Sequence, residues 1–506
     1  MAHIFDNLFI FEMANNHQGS VEHALKIVKS MGEITRKYNL NAGVKLQYRD
    51  LDTFIHPSFK NTSINKHIKR FESTRLTKQD FQVICDAIKS EGMLTICTPF
   101  DEKSVDLIEE MNFDIIKIGS PSLFDFCLFE RISEANKPII VSSGGCNIEH
   151  VDKIVSFFDH RMNNFALMHC VSIYPTPNNE LQLNTIKLFK SRYPHLTIGF
   201  STHESPNNYD AIKFAYTLGA RIFEKHVGYP TDTIKLNLYS SNPEQTEEWV
   251  KSYFTAKEIC GSETFRKPTN KEISDLKLLN RGVFVKRNIK KGEQFKFDDI
   301  YFAFPISENG IMTSEFVDYL VADKDYNIDE PITKNVLASN NICESDKRQL
   351  YHYIHKIKGF LRANKVSIGY DSYMEASHHF GISKFGETGC FIIECFNTKE
   401  YAKKIIVQLP GQINPSHYHK KKDETFYLLH GDLTININNK EEKHMVPGDF
   451  LRVPRYTIHD FTTTNGAIFE EISTSFVDND SFYINKNIQK LDRNSRKTKL
   501  YNWIIV

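Results

Sequence analysis

The sequence of 506 residues predicts an α/β protein with a closed (β/α)8 barrel in its first half and two smaller β-rich domains after it. Three observations support this fold class. Short apolar runs alternate with amphipathic stretches up to about residue 260. Short strand-like runs then surround a Lys-Gly-Glu turn at 291–293. Finally, histidines and a glutamate recur with strand spacing between 417 and 459. A chain of this length exceeds what one core can hold, so several domains are expected.

The barrel prediction rests on a count of apolar runs. Eight parallel strands close a TIM barrel, and strands buried on both faces read as near-continuous apolar runs. Amphipathic segments with apolar residues at three- and four-residue spacing fit the intervening helices. Residues 48–93 hold more than one helix and predict an extra loop over the barrel mouth. The eight runs are 8–14, 42–47, 94–100, 114–120, 138–145, 165–172, 196–203 and 221–227.

Composition excludes several classes of function. Lys and Arg total 63 and so do Asp and Glu, and no basic block stands apart, so neither nucleic acid nor a membrane surface is an expected partner. The nine cysteines are scattered without CxxC pairs, which is typical of reduced thiols. The amino terminus lacks a basic and apolar leader, and no run of eighteen apolar residues occurs. We expect a soluble, cytoplasmic protein.

Polar residues follow each apolar run, and the carboxyl ends of barrel strands carry the active site in this fold. Lysines together with several hydroxyls predict an anion site for a phosphorylated small molecule. His203 and His226 present two imidazoles to one divalent cation, and Glu12 is a candidate for proton handling. The strand-end residues are Glu12, Asn16, His17, Lys45, Gln47, Thr98, Asp101, Lys117, Ser120, Ser142, Ser143, His169, Ser172, Ser201, His203, Glu224, Lys225 and His226.

Eight ordered motifs carry a resemblance over the first 260 residues: FEMANNHQG, GVKLQ, TPFD, KIGS, SSGG, HCVSIYPTP, GFSTHE and EKHV. In order and spacing they resemble the sialic acid synthase family, which condenses phosphoenolpyruvate with a mannosamine-type sugar aldehyde. The resemblance implies that His203 and His226 bind Mn or Mg, and that Glu12 lies near the reacting carbon and the attacking water. It assigns phosphoenolpyruvate binding to Lys45, Thr98, Lys117, Ser120, Ser142 and Ser201, and sugar contacts to Gln47, Tyr174 and either Asn237 or Asp232.

Several positions depart from the family pattern. Pro121 and Ser122 follow KIGS, while Ser172 and Thr202 occupy positions where Asn and Asp are usual. These changes cluster on the sugar side. Enolpyruvyl condensation is therefore a firmer expectation than sialic acid as the product.

Residues 276–337 resemble the antifreeze-like (SAF, β-clip) domain that follows the barrel in sialic acid synthases. The resemblance implies a homodimer in which this domain packs over the partner's barrel mouth and supplies an arginine. Phe304 occupies the matching position before Pro305. Two roles of this domain stay open: a lid that only mediates dimerisation, and a domain that contacts the substrate.

The third domain is predicted at 366–490. A glycine, an HxH pair, a glutamate and a later histidine follow one another with the spacing of the cupin motifs. Alternation along a strand directs both histidines of HxH to one face. With Glu424 on the next strand and His459 across the barrel, the four side chains are predicted to bind Zn, Mn or Fe. This half also resembles sugar-isomerase cupins, with Lys422 and Glu471 as an acid/base pair, although a binding or regulatory role stays open. The four ligands are His417, His419, Glu424 and His459.

The leading hypothesis is a synthase that condenses phosphoenolpyruvate with an amino- or deoxy-sugar to give a nonulosonic acid for polysaccharide biosynthesis. A second hypothesis makes the metal cupin a sugar isomerase or epimerase and the barrel a synthase of altered specificity. A third is a non-catalytic sugar or metabolite sensor. The two lysines and two histidines of the barrel argue against the third.

Overall fold

The structure is a computed structural model that describes residues 4–60, 62, 65–262, 266–340, 346–369, 372–475, 479–501 and 503. The chain divides into two compact units, Met1–Lys267 and Pro268–Val506. Each unit has its own hydrophobic core and is described separately below.

The first unit is the predicted barrel. Eight parallel strands close on themselves in sequence order, with the last strand hydrogen-bonded to the first. Each predicted apolar run overlaps one strand, so the (β/α)8 prediction is confirmed. The strands are β1 Leu8–Glu12, β2 Asn41–Tyr48, β3 Leu94–Pro99, β4 Ile115–Ile118, β5 Ile139–Ser142, β6 Phe165–Cys170, β7 Thr197–Thr202 and β8 Ile222–His226.

Helices surround the barrel, and the longer ones bury an apolar face in the same core as the strands. Their starts follow ordinary capping chemistry: the Ser20 hydroxyl accepts from the His23 N–H, and Thr77 with Asp80 forms a capping box. The helices are α1 Val21–Tyr38, α2 Leu51–Phe54, α3 Lys66–Ser73, α4 Lys78–Ser90, α5 Glu102–Glu110, α6 Phe126–Glu134, α7 Ile148–His160, α8 Asn184–Arg192, α9 Asp210–Thr217 and α10 Pro243–Cys260. The short helices α2 and α3 occupy the segment between β2 and α4, where the sequence predicts more than one helix.

The second unit begins with α11 (Asn270–Leu278) and a small β-rich region. Strands β9 (Gly282–Val285) and β10 (Ile300–Ala303) pair antiparallel, and α12 (Lys334–Ser339) follows. Twelve buried apolar residues between Val283 and Val336 form a separate core. These strands and their core form a small β-rich region where the sequence predicts the β-clip domain. The boundaries of that domain, 276–337, stay a prediction.

The rest of the second unit is strand-rich and carries two apolar clusters. Helix α13 (Asp346–Ala363) leads into it, and α14 (Lys486–Lys490) and α15 (Arg493–Arg496) lie near its end. One sheet has the order β18-β15-β20-β13-β12-β11-β22 and the other β17-β16-β19-β14-β21, as expected of a cupin. The strands are β11 Tyr373–Ser377, β12 Cys390–Asn397, β13 Tyr401–Gln408, β14 Ile413–His419, β15 Glu424–Gly431, β16 Leu433–Ile437, β17 Glu441–Met445, β18 Phe450–Val453, β19 His459–Thr462, β20 Ala467–Thr474, β21 Ser481–Tyr483 and β22 Lys497–Leu500.

Among the described residues, no helix combines the length and the apolar character that crossing a membrane requires.

Candidate functional site

The interior of the barrel is layered. An apolar cluster that includes Ile10, Ile96 and Ile222 fills its lower part. Because side chains alternate along each strand, the residue two positions further along the chain points to the same interior. That step places charged and hydroxyl groups above the apolar layer. The β1 register aligns Glu12 with a lysine on one neighbouring strand and with His226 on the other.

Two lysines and two glutamates form one buried ionic network at the carboxyl ends of the strands. The Lys45 ammonium lies 2.5 Å from Glu12 Oε2 and 2.7 Å from Glu224 Oε1. The second Glu224 oxygen lies 2.7 Å from the Lys117 ammonium. Gln47 Nε2 donates to the other Glu12 oxygen at 3.1 Å. All four charged groups are buried, so residues from four different strands meet at one site.

The protonation chemistry of this network is set by burial and by mutual charge. Burial lowers the pKa of the Lys45 ammonium to about 8, even though Glu224 acts in the opposite direction, and repulsion from Lys117 adds to the decrease. Burial alone would raise the pKa of Glu224, but the two ammoniums hold it well below its usual range. Glu224 is therefore a carboxylate that keeps two lysines in place. Such perturbed groups in a barrel mouth indicate a functional site.

Hydroxyl groups lie at the same carboxyl ends of the barrel strands as the two ammoniums. Ser201 Oγ donates to Glu224 Oε1 at 3.0 Å, whereas the buried Thr98 Oγ1 has no hydrogen-bond partner among the described residues. A Cβ at Gly144 would lie 2.4 Å from Ser120 Oγ and 2.3 Å from Ser172 Oγ, so a larger residue there would require both hydroxyls to move. The site thus offers hydroxyl donors beside ammonium donors, a combination that suits an anion.

A pair of neutral imidazoles lies beside the network. The His203 and His226 ring centroids are 5.3 Å apart. His203 Nδ1 is 2.8 Å from the Val171 carbonyl oxygen, so this nitrogen carries the hydrogen and Nε2 keeps a lone pair. Burial lowers the pKa of His203 to about 4 and holds that of His226 well below its usual value. Two neutral imidazoles with available lone pairs fit a divalent cation. The Tyr174 ring lies 4.2 Å from that of His203.

The structure corrects two strand-end assignments. Lys225 lies on the outer face of β8, where its ammonium pairs with Glu204 at 2.8 Å and both groups are buried. His169 lies on the outer face of β6, with Nε2 2.7 Å from the Leu181 carbonyl oxygen and the ring stacked on Phe200. Both therefore belong to the packing between strands and helices. Successive side chains of β6 and β8 alternate between the inner and outer faces of the barrel, and this alternation places His169 and Lys225 on the outer face.

Asn237 has a local role in the structure. Its Oδ1 accepts from the backbone N–H groups of Tyr239 and Ser240, at 3.1 and 2.8 Å. This side chain shapes the turn after β8 through its carbonyl oxygen. Sequence reasoning missed a different residue, Glu224, as the centre of the network. The two-residue spacing of Ile222, Glu224 and His226 is the signal that identifies it.

The second unit holds a separate cluster of three histidines. The HxH pair, His417 and His419, lies on β14, and the strand register pairs His417 directly with His459 on β19. One ring nitrogen from each histidine lies within 4.8 Å of the others, and all three side chains are buried. The third histidine therefore comes from the strand next to β14 in the same sheet, rather than from across the barrel as the sequence suggested. Glu424 begins β15 in the facing sheet.

The hydrogen bonds of these histidines prepare them for a metal. Nδ1 of His417, His419 and His459 faces the carbonyl oxygens of residues 415, 480 and 457 at 2.9, 2.7 and 3.1 Å, so each Nε2 carries the lone pair. His419 Nε2, His459 Nε2 and Glu424 Oε2 are buried without a hydrogen-bond partner among the described residues. Burial also holds the pKa of His417 and His419 well below the usual value. Three nitrogens and one carboxylate fit a divalent transition metal.

The cavity beside this cluster encloses about 70 Å³ and is lined by charged groups. Lys422 contacts Glu424 and lies 2.9 Å from Glu471, which also lies 3.3 Å from Lys404. Burial alone would lower the pKa of Lys422, but the two carboxylates raise it. The predicted acid/base pair is therefore an ion pair in this structure. At the far wall Glu375 pairs with two cationic groups.

Comparison with known proteins matches a family model to each of the two regions that hold these clusters. The fold and the barrel mouth define a (β/α)8 protein with a buried lysine–glutamate network at its strand ends, followed along the chain by a cupin. Residues 38–264 match the NeuB family and residues 405–470 match the cupin domain. The chain is 43% identical to the solved spore coat polysaccharide biosynthesis protein E of Chromobacterium violaceum, covering 65% of this chain and 98% of that one, with a TM-score of 0.63. The chain belongs to the NeuB family.

Two curated relatives extend this comparison. The N-acetylneuraminate-9-phosphate synthase of Drosophila melanogaster is 27% identical over 66% of this chain and 97% of its own length. The N,N'-diacetyllegionaminic acid synthase of Campylobacter jejuni is 24% identical over 64% of this chain and 98% of its own length. Both alignments cover nearly all of the relative, which leaves about a third of this chain outside each match.

Proposed function

We propose that the barrel condenses phosphoenolpyruvate with a mannosamine-like sugar aldehyde to give a nonulosonic keto-sugar acid and phosphate. The observation that carries this proposal is the buried network of Glu12, Lys45, Glu224 and Lys117 beside two neutral histidines. The names of the relatives, which are synthases of nine-carbon sugar acids, support the same reaction. The network's position at the mouth of a closed barrel supports the assignment to substrate binding.

The proposed roles follow from donor chemistry. Lys45 and Lys117 keep ammonium N–H groups that are not directed at Glu224, and hydroxyls complete the cradle for the phosphate and carboxylate of phosphoenolpyruvate. The hydroxyl donors are Thr98, Ser120, Ser142 and Ser201. We assign the sugar contacts to Gln47, Tyr174 and Asn237. Glu12 lies between Lys45 and Gln47, where its carboxylate accepts a hydrogen bond from the attacking water.

The proposed condensation forms one carbon–carbon bond and breaks one carbon–oxygen bond. The electron pair of the C2–C3 double bond forms a carbon–carbon bond to the aldehyde carbon, and the aldehyde oxygen takes up a proton. Water adds at C2, and its proton leaves through the neighbouring carboxylate. The bond between C2 and the bridging oxygen then breaks, phosphate departs with that oxygen and takes up the remaining C2 hydroxyl proton, and C2 becomes a ketone. A manganese or magnesium ion held by His203 and His226 would polarise the aldehyde.

The direct test is to incubate the full-length protein with phosphoenolpyruvate, MnCl2 and a panel of aldoses, and to identify the product by mass spectrometry. We expect a keto acid whose mass equals the aldose plus pyruvate, with one phosphate released for each product. Release of phosphate without a keto acid would contradict the proposal. So would the absence of turnover with every amino- and deoxy-sugar of the panel.

The cupin supports a second candidate activity, a metal-dependent sugar isomerase or epimerase. The observation in its favour is the ion pair of Lys422 and Glu471, 2.9 Å apart, beside the vacant lone pairs of the histidine cluster. Zinc, manganese or iron would be the cofactor. The test is aldose–ketose exchange in D2O followed by NMR. Deuterium incorporation at C2 that is lost in His419→Ala would support an isomerase, and no exchange with any aldose would leave a binding role.

We also propose a cytoplasmic homodimer that exchanges its β-clip region, residues 276–337. Exposed apolar side chains in and beside this region support an interface: Phe304 is 61% exposed, Phe297 56% and Leu279 70%. Light scattering on the full chain tests the dimer. A monomer at micromolar concentration would contradict it.

A further inference from the structure

Arg49 lies at the barrel mouth, one residue beyond the end of β2. Lys45, Gln47 and Arg49 are two residues apart, so they follow one another on the inward face of the chain. The strand register pairs Gln47 with Thr98 of β3. Two residues further along each chain segment, just beyond the strand ends, come Arg49 and Phe100. Arg49 therefore stands one layer outside the residues already placed in the site.

Two aromatic rings hold the Arg49 side chain. Its guanidinium carbon lies 3.5 Å from the centroid of the Phe100 ring and 4.1 Å from that of Phe71. Phe71 belongs to α3, in the segment inserted between β2 and α4. A guanidinium between two rings has a fixed plane, and its N–H groups point outward from the edge of that plane. The sequence brings three distant residues together to orient one cation.

The positive charge of Arg49 is not paired directly with a carboxylate of the described residues. Its Nη2 donates to Gln47 Oε1 at 3.1 Å, and its buried Nε has no partner among the described residues. No carboxylate in the described part of the chain lies within ion-pairing distance of it. The acidic group that acts on it, Asp101, is engaged by the N–H groups of Ser104 and Asp50. Burial, with repulsion from Arg70, lowers the pKa of Arg49 to about 10.

Arg49 is connected to the ionic network through amide hydrogen bonds. Gln47 accepts from Arg49 and donates to Glu12 Oε1 at 3.1 Å, and Glu12 contacts Lys45. The two lysines serve the inner end of the site, whereas Arg49 is a separate cation toward the opening. A molecule whose reactive carbon lies near Glu12 would extend its distal end toward Arg49.

We propose that Arg49 binds an anionic group, a phosphate ester or a carboxylate, on the sugar that accepts the enolpyruvyl unit. This inference deepens the proposed function and rests on it. A partly desolvated cation without a counter-charge is unfavourable, so the missing negative charge is supplied by the ligand. The planar fork of a guanidinium matches both kinds of oxyanion. The acceptor is therefore a charged sugar.

The experiment uses full-length protein, saturating phosphoenolpyruvate and MnCl2. Three acceptors are compared by phosphate release: N-acetylmannosamine, its 6-phosphate, and N-acetylmannosaminuronic acid. We expect wild-type kcat/KM to be at least about 10-fold higher for one charged acceptor than for the neutral one. Arg49→Met, which keeps the side chain's bulk between the rings, should reduce that preference roughly 10- to 100-fold, in line with the loss of hydrogen bonds to a charged group. The 6-phosphate and uronate arms distinguish phosphate from carboxylate.

Matched variants separate this role from a structural one. Arg75 lies in the same inserted segment but is exposed and paired with Asp52 at 2.6 Å, so Arg75→Met should retain the wild-type preference. Arg49→Lys keeps a cation and should recover part of it. The proposal is overturned if the wild type prefers the neutral acceptor, if Arg49→Met slows all three acceptors equally, or if it raises KM for phosphoenolpyruvate instead. Melting temperatures verify that each variant folds.

A binding measurement distinguishes failure of this inference from failure of the proposed function. If no acceptor releases phosphate, the condensation proposal fails, but calorimetric titration with the two charged sugars still reports on Arg49. Wild-type binding that weakens at least about 10-fold in Arg49→Met would sustain the inference. No binding of either charged sugar, or equal binding by both proteins, would overturn it.

Discussion

At the scale of single residues, the two ion pairs of Glu224 explain how the lysines of the barrel site are held in position. Its two oxygens each hold one lysine, at 2.7 Å, and Glu12 supplies the second negative charge. Buried ion pairs of this kind contribute little net stability, because desolvation offsets the attraction. Their value lies in orientation: the ammoniums are already in place when an anion arrives, so little reorganisation is needed. Glu224 is thus a positioning residue for Lys45 and Lys117.

Replacing Glu224 should destabilise the protein in a way that substrate partly reverses. We expect Glu224→Gln to lower the free energy of unfolding by about 3 kcal/mol, because it leaves two buried ammoniums without their shared carboxylate. Phosphoenolpyruvate should restore part of this loss by supplying negative charge. Urea unfolding with and without the ligand measures both effects.

The matched control is Glu204→Gln, which removes the carboxylate of a buried ion pair on the outer face of β8. It should be destabilised to a similar extent, with no restoration by phosphoenolpyruvate beyond that seen in the wild type. Equal restoration in both variants would argue against an anion site at Glu224.

The lowered pKa of Lys45 predicts an alkaline limit to substrate binding. In the free protein this ammonium loses its proton as the pH rises through about 8, below the value of 10.5 for an ordinary lysine. Because anion binding uses the charged form, kcat/KM for phosphoenolpyruvate should fall over that range. Lys45→Arg stays protonated, so its residual activity should not fall there. A wild-type profile that is flat up to pH 10 would contradict the assignment.

At the scale of elements, strand alternation decides which polar residues reach a site. All eight barrel strands could be predicted from apolar runs, since strands buried on both faces leave a strong compositional signal. The same runs do not indicate which side chains point into the barrel. The sequence therefore predicts His169 and Lys225 at the mouth, although both lie on the outer face. Counting in steps of two from Ile222 would have separated Glu224 and His226 from Lys225.

In the cupin, the direction of side chains along one strand could be predicted, but the neighbouring strand in the sheet could not. The HxH spacing on β14 correctly predicts two histidines on one face, because it depends only on local geometry. The position of His459 depends on which strands are neighbours, and local spacing carries no information about that. The pairing of His417 with His459 is therefore a property of the sheet order.

Metal content tests the cupin cluster. His419→Ala removes a buried nitrogen with a vacant lone pair, so metal per chain measured by mass spectrometry should fall by at least half relative to the wild type. His444→Ala is the control, since that histidine is on β17 with a largely exposed side chain, and its metal content should match the wild type. An unchanged metal content in His419→Ala would show that these histidines are structural.

At the scale of the whole molecule, each of the two compact units contains its own site. The barrel holds the lysine network and a histidine pair, and the second unit holds the three-histidine cluster. The lysines and histidines of both sites could be predicted from motifs at the ends of strands, whereas the pairing of His417 with His459 could not. The sandwich around Arg49 could not, because residues 49, 71 and 100 converge only after the inserted helices fold against the barrel.

Separate sites predict separable effects of mutation. Lys117→Ala removes one of the two ammoniums at the barrel mouth and should reduce phosphate release at least about 100-fold, because a charge-assisted anion contact is lost. The metal content of the cupin should stay at the wild-type value. Full condensation activity in this variant would refute the anion-site assignment, and a loss of cupin metal would show that the two sites are coupled.

The most direct measurement of the central claim uses phosphoenolpyruvate labelled with ¹⁸O at the bridging oxygen, together with an aldose that the protein accepts. If the barrel mouth binds the enolpyruvate for carbon–carbon bond formation, mass spectrometry will find the label in the released phosphate and none in the keto-sugar acid. Lys117→Ala will release almost no phosphate under the same conditions. Label retained in a three-carbon pyruvate, with no sugar acid formed, would contradict the account.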